Sequence, residues 1–360
     1  MLKNKSVSSA FFYVHDIIIY RGDYVLEKEF IDFGYTKDEF NLIRNKYGVL
    51  ELKDDTLLLK FRRINSFLCD NGYSKKEIIK MLKSSPNVYS LDVKNLEQKI
   101  KDMIDLGYSK EEVVKMTKTF SKIYCYAIDN IKQKIKDMID LGYSKEEVIK
   151  MTKKLPALYS YSLENLDQKI KDMIDLGYSK EEIIKMTKKL PSIYAHQVAN
   201  LKQKIKDMIG LGYSKEEVVK MTKAFPTIYS ISMKNIEQKI SDIEKLGYSK
   251  EEIIKMTKIL PTIYGLSIEN IKQKIEFYDS IGMHDLAIDD SKYLMQSTAL
   301  SYARYEFYKS AGISINMDNY RMLFIGNKKF ESKYGVTKTD LLEKYNYQKI
   351  IEEKNNGRVI

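Results

Sequence analysis

The sequence predicts an all-α protein, an α-solenoid of 35-residue repeats, each made of two α-helices and a short 3₁₀ turn. Three observations predict it. Gly-Tyr-Ser-Lys occurs six times, with glycines at Gly72, Gly107, Gly142, Gly177, Gly212 and Gly247 and no slip in spacing. A fixed period of roughly 20 to 50 residues marks a stack of units that bury their apolar faces on one another. Within each period, apolar residues recur at helical spacing. All five prolines, Pro86, Pro156, Pro191, Pro226 and Pro261, stand 14 residues after a repeat glycine, so proline serves one purpose here, a bend.

Taken in chain order, residues 1–71 read as an N-terminal cap with one diverged repeat, opened by Phe33-Gly-Tyr-Thr-Lys-Asp38. Residues 72–281 hold the six near-identical repeats, and Gly142–Leu176 shows their plan. Ser144 and Glu147 form a capping box that starts the first helix, helix A. Val148, Met151, Thr152 and Leu155 recur on its inward face. Helix A ends near Leu155, because a residue before proline is pushed out of the α region. Pro156-Ala-Leu-Tyr159 fits a single 3₁₀ turn, with the tyrosine packed in the bend. Ser162 caps helix B, whose apolar face is Leu163, Leu166, Ile170, Met173 and Ile174. Gly177 is the left-handed stop. The second repeat departs from the plan, with Ser121 in place of proline. Residues 282–360 read as the C-terminal cap: Ile281-Gly282-Met283-His284 begins a shortened copy, and Gly335-Val-Thr337-Lys-Thr-Asp340 opens another helix. The flanks lack a linker-like stretch, so no independent domain is expected, and the array should be elongated in solution.

Composition narrows the function classes. No apolar run reaches the roughly 18 residues of a membrane span, so no membrane role is expected. In residues 1–20, His15 and Asp16 break the apolar stretch a secretory signal needs. The first 15 residues lack acids and carry Lys3, Lys5 and several serines, which leaves organelle targeting open. Two cysteines, Cys69 and Cys125, point to a reducing cytoplasm, with an organelle matrix as the alternative. Net charge is +11, and nine of those charges fall in the repeats, a lean toward a polyanionic partner set against plain compositional bias. No cofactor or metal is expected: His15, His196 and His284 have neither cysteine neighbours nor metal-ligand spacing. No Gly-rich phosphate loop or nucleophile elbow is present either, so the chain does not read as an enzyme.

Three sets of residues are candidates for partner contact. The first is a double lysine ladder on helix A. One row lies 8 residues after each glycine (Lys80, Lys115, Lys150, Lys185, Lys220, Lys255) and the other 11 after (Lys83, Lys118, Lys153, Lys188, Lys223, Lys258). At about 100° per residue both project away from the apolar face and suit phosphate as point charges. The competing reading is a solvated face laced by pairs such as Glu146–Lys150. The second set is the unvarying Asn and Gln of helix B, such as Asn165 and Gln168, which either bond a ligand or cap the helix and bond the next repeat. The third is the variable residue before helix B: Leu91, Tyr126, Tyr161, His196, Ile231, Leu266. Tyr126, Tyr161 and His196 suit stacking on bases, and surface drift explains the same variation.

The pattern Leu-Gly-Tyr-Ser-x-Glu-Glu-Ile, then Leu-Pro-x-Ile-Tyr, then Asn-Leu-x-Gln-Lys-Ile resembles the repeat of the mitochondrial transcription termination factor (mTERF) family. Residues 292–312 resemble a later, diverged repeat, so the resemblance covers most of residues 34–312. It implies a curved α-solenoid and nucleic-acid binding in organelle gene expression. The near-identity of the copies fits a bacterial or phage relative. The seven arginines are Arg21, Arg44, Arg62, Arg63, Arg304, Arg321 and Arg358, none of them in the six clean repeats. Arginine is the preferred reader of guanine, so phosphate contact by lysine is expected there instead of base readout. The expectation is therefore a monomeric solenoid that binds the phosphate backbone of DNA or RNA, in transcription or RNA metabolism. The alternative is a protein-binding scaffold.

Overall fold

Helix A begins at its capping box. Ser144 lies in extended backbone, its hydroxyl accepts from the Glu147 N–H at 3.2 Å, and Glu147 accepts from the Ser144 N–H at 2.9 Å. Two orphan donors of the first turn are thereby satisfied. The helix runs Lys145–Lys154, and Leu155 leaves it at φ −136°, ψ 81°. Pro156 opens the 3₁₀ turn Pro156–Ser160, and helix B follows over Leu163–Asp175, with Ser162 Oγ accepting from Asn165 N–H. Every proline takes the first position of such a turn. Ser121 takes it in the second repeat, so the bend forms without proline.

The structure, a computed structural model, describes residues 24–46 and 49–347. The N-terminal targeting segment and the last residues of the C-terminal cap lie outside these. Among the described residues there is no β-strand. The chain is an all-α solenoid of two helices and a 3₁₀ turn per repeat, and it divides into two compact units. One is Met1–Ile174 with Ile183–Ala195, the other Asp175–Glu182 with His196–Ile360.

In the first unit the N-terminal cap supplies a capping box at Thr36 and Glu39, helix Lys37–Arg44 and the longer helix Asp54–Asp70. Its core is aromatic: the Phe30 and Phe61 rings stack at 4.0 Å, with Tyr89 5.6 Å from Phe61. In the second unit the copy after Gly282 keeps only a short helix A, Leu286–Asp289, before the turn Ser291–Met295 and helix Thr298–Ser310. The capping box expected at Thr337 and Asp340 starts helix Lys338–Lys344.

Successive repeats are joined by buried hydroxyls. Tyr143 Oη lies 2.6 Å from both Thr187 Oγ1 and Tyr194 Oη of the next repeat. Thr187 spends its single proton on the Ile183 carbonyl at 2.8 Å. Tyr143 must therefore donate to Thr187, and Tyr194 to Tyr143. The same triad recurs at Tyr108, Thr152 and Tyr159, and at Tyr178, Thr222 and Tyr229. Burial pushes the Tyr143 hydroxyl above its ordinary range. The bend tyrosines thus pack as expected, and their partners are set by the stacking.

One expected core residue is not in the core. Ile174 is 45% exposed, as are its counterparts Ile104, Ile139 and Ile209 at 41 to 43%. Helix B buries Leu166, Ile170 and Met173, and Ile174 lies one step past the rim of that stripe.

Candidate nucleic-acid interface

The two lysine rows of helix A have different surroundings. Each lysine of the later row reaches back to the capping-box glutamate of the preceding repeat. Lys118 meets Glu77 at 3.0 Å, Lys153 meets Glu112 at 2.6 Å, and Lys188 meets Glu147 at 2.7 Å. Lys223 meets Glu182 at 2.8 Å and Lys258 meets Glu217 at 2.9 Å, while Lys83 pairs with Glu39 of the cap. The division of labour on Glu147 is complete: Oε2 caps its own helix and Oε1 holds Lys188. The Lys188 hydrogen bond and the Ser144 N–H keep its carboxyl below the usual glutamate value. Lys118 and Lys153 also lie over the Tyr73 and Tyr108 rings, at 5.3 and 5.8 Å from the centroids.

The earlier row is free of such partners. Lys80, Lys115, Lys150, Lys185, Lys220 and Lys255 are all exposed. Among the described residues, Lys255 pairs with Asp289 at 2.7 Å and the other five make no ion pair within 4.0 Å. The expected Glu146–Lys150 pair is not formed, because Glu146 turns to the Ser144 hydroxyl at 2.8 Å. A carboxylate near a helix start finds the N-cap as readily as a lysine one turn on. Lys80, Lys115, Lys150 and Lys185 belong to the first unit, Lys220 and Lys255 to the second.

A third lysine row, on helix B, was not singled out in the sequence. Lys99, Lys134, Lys204 and Lys274 are buried, and Lys239 is half-buried. The Lys99 ammonium donates to the Tyr126 carbonyl, Lys204 to that of Ile231, and Lys239 to that of Leu266 at 2.6 Å. Desolvation lowers the pKa of Lys99 and Lys204. These cations tie one repeat's helix B to the residue that precedes helix B in the next. Their signal was invariance at an apolar-flanked position, Gln-Lys-Ile in every copy.

The variable residues Leu91, Tyr126, Tyr161, His196, Ile231 and Leu266 are all half-exposed. Lysines thus fix the backbone of Tyr126, Ile231 and Leu266, while the side chain there changes from copy to copy. Tyr126 lies 6.1 Å from the Phe120 ring, and the His196 ring bonds Ser230 at 3.3 Å. The invariant glutamines bond the aspartate one turn on in their own helix, Gln98 to Asp102 and Gln133 to Asp137 at 2.8 Å, and do not reach the next repeat. The invariant asparagines, Asn95 to Asn270, are exposed, and their side chains make no hydrogen bond among the described residues.

Among the described residues no three His, Cys, Asp or Glu side chains are placed to hold a metal ion, and no helix is long and apolar enough to cross a membrane. A search of curated proteins found no match. The family model for mTERF matches residues 28–174 and again 165–286, which takes in the diverged first repeat, all six clean ones and the start of the shortened copy. With that match over most of its length, and with two helices and a 3₁₀ turn in each unit, the chain belongs to the mTERF family.

Proposed function

We propose that the repeats bind nucleic acid, DNA or RNA, through its phosphate backbone, with Lys80, Lys115, Lys150, Lys185 and Lys220 as the principal contacts. One observation carries this reading: these five ammonium groups are exposed and unpaired, one per repeat at the same place on helix A. A lysine already held by a carboxylate has to break that pair before it meets a phosphate, so the later row contributes less. Membership of a family known for nucleic-acid binding supports the reading, as does a net charge of +11. The half-exposed Tyr126, Tyr161 and His196 are candidates for stacking on unpaired bases. The process served is transcription or RNA metabolism, and the protein supplies no chemistry of its own.

Protein binding is a second reading, favoured by the exposed row Ile104, Ile139, Ile174 and Ile209. A gel-shift panel of duplex and single-stranded DNA and RNA at physiological salt separates the two. The nucleic-acid reading predicts at least one retained species. Failure of every strand type to bind refutes it.

A further inference from the structure

The groove where the N-terminal cap meets the first repeat differs from the grooves between repeats. Lys60, on helix Asp54–Asp70, takes the part of the helix-B lysines. Its ammonium donates to the Ser90 carbonyl at 3.1 Å and the Leu91 carbonyl at 3.0 Å, and pairs with Asp92 at 2.6 Å. With Lys60 set on Lys99, Leu59 stands where the repeats have Gln98, Gln133 and Gln203. Arg63 stands where they have Asp102, Asp137 and Asp207. The Gln–Asp bond along helix B is thus replaced by an apolar side chain and a charge of the opposite sign.

A cavity of about 550 Å³ opens at this place, walled by Leu59, Ile64, Leu91 and Val93, with Arg63 and Lys94 on its polar side. Arg63 and Lys94 are exposed and make no ion pair within 4.0 Å among the described residues. The carboxylate in the lining, Asp92, is already held by Lys60, which keeps it below its usual range with help from Arg63 and Lys94. Against Lys60, Arg63 and Lys94 stands one acid, so two positive charges are unmatched. The volume lies within the roughly 300 to 1,000 Å³ of small-ligand pockets and exceeds what a bare inorganic anion fills. Its aliphatic walls suit a flat apolar body, and a guanidinium offers a two-pronged contact to phosphate.

We propose that this groove binds a nucleoside phosphate, with the base against Leu59, Leu91 and Val93 and the phosphate on Arg63 and Lys94. The choice of a nucleotide among phosphorylated aromatics rests on the nucleic-acid reading above. Two sources share this chemistry, a free mononucleotide and the phosphorylated end of a strand.

The test uses the full chain and its Arg63→Gln variant, whose fold is checked by circular dichroism. Calorimetry with AMP probes the free nucleotide. Fluorescence anisotropy compares one short single strand carrying a phosphate at its 5′ end, its 3′ end or neither. The proposal predicts saturable AMP binding, or a terminal-phosphate gain of about tenfold, that Arg63→Gln abolishes. AMP binding without an end effect assigns the groove to the free nucleotide, and an end effect assigns it to the strand. Strands that bind equally with and without end phosphate, together with no saturable AMP binding, overturn the groove proposal and leave nucleic-acid binding intact. AMP binding or an end effect that survives unchanged in Arg63→Gln overturns it as well. If no strand binds but AMP does, and Arg63→Gln removes it, the groove stands and the nucleic-acid reading falls.

Discussion

Glu147 closes its own helix with one carboxylate oxygen and grips Lys188 with the other, so two jobs rest on a single ionised group. Its pKa lies below the ordinary 4.5 in the folded chain. The unfolded chain therefore binds more protons between the two values. The stabilisation is complete above about pH 4.5 and is lost as pH falls through the depressed value. Urea midpoints of the parent and of Glu147→Gln should differ at pH 7 and converge near pH 3, and a constant difference would refute the linkage. Thr187 carries a sharper demand. Thr187→Val removes the acceptor of the buried Tyr143 hydroxyl, and an unsatisfied buried donor costs about 1–3 kcal/mol. The double variant with Tyr143→Phe should recover part of that loss, since no hydroxyl is then stranded. At this scale the sequence announced the capping glutamates and the bend tyrosines through invariance and spacing. It did not announce their partners, 41 and 44 to 51 residues away, because those contacts arise only when repeats stack.

Helix A, the 3₁₀ turn and helix B were legible almost to the residue, because local chemistry dictates each boundary: a capping box, a proline and a glycine. Ile174 was misplaced, because an apolar residue at the edge of a helical stripe fits either side of the rim. Helix stops give a test of the stacking. Gly142 has φ +113°, and a Cβ there would meet Ile184 Cδ1 of the next repeat at 3.0 Å. Gly177 has φ +107°, with nothing within 4 Å of its added Cβ. Both Gly→Ala changes carry backbone strain of about 1–3 kcal/mol. Gly142→Ala should cost more, because Ile184 must also shift. Equal losses in hydrogen-exchange protection around the two sites would contradict this packing.

For the whole molecule, the lysine rows matter as sets. The sequence set twelve lysines on one helix face and gave no ground to rank them. In the structure one row is paired across repeats, and all but Lys255 of the other row are unpaired. The ranking came from distance, since the glutamates that neutralise the later row belong to a different repeat. The central claim is that the earlier row meets phosphate and the later row mainly joins repeats. Two quadruple variants separate the roles: Lys115, Lys150, Lys185 and Lys220 to Gln, and Lys118, Lys153, Lys188 and Lys223 to Gln. Glutamine keeps helix propensity nearly unchanged. The deciding measurement is the slope of log affinity against log salt for the strand the parent binds best. Each phosphate contact contributes roughly −0.7 to −0.9 to that slope. The account predicts that the first variant binds more weakly with a shallower slope by about three units. The second should keep the parent's slope to within about one unit and lose thermal stability instead. A first variant with the parent's affinity and slope would contradict the account.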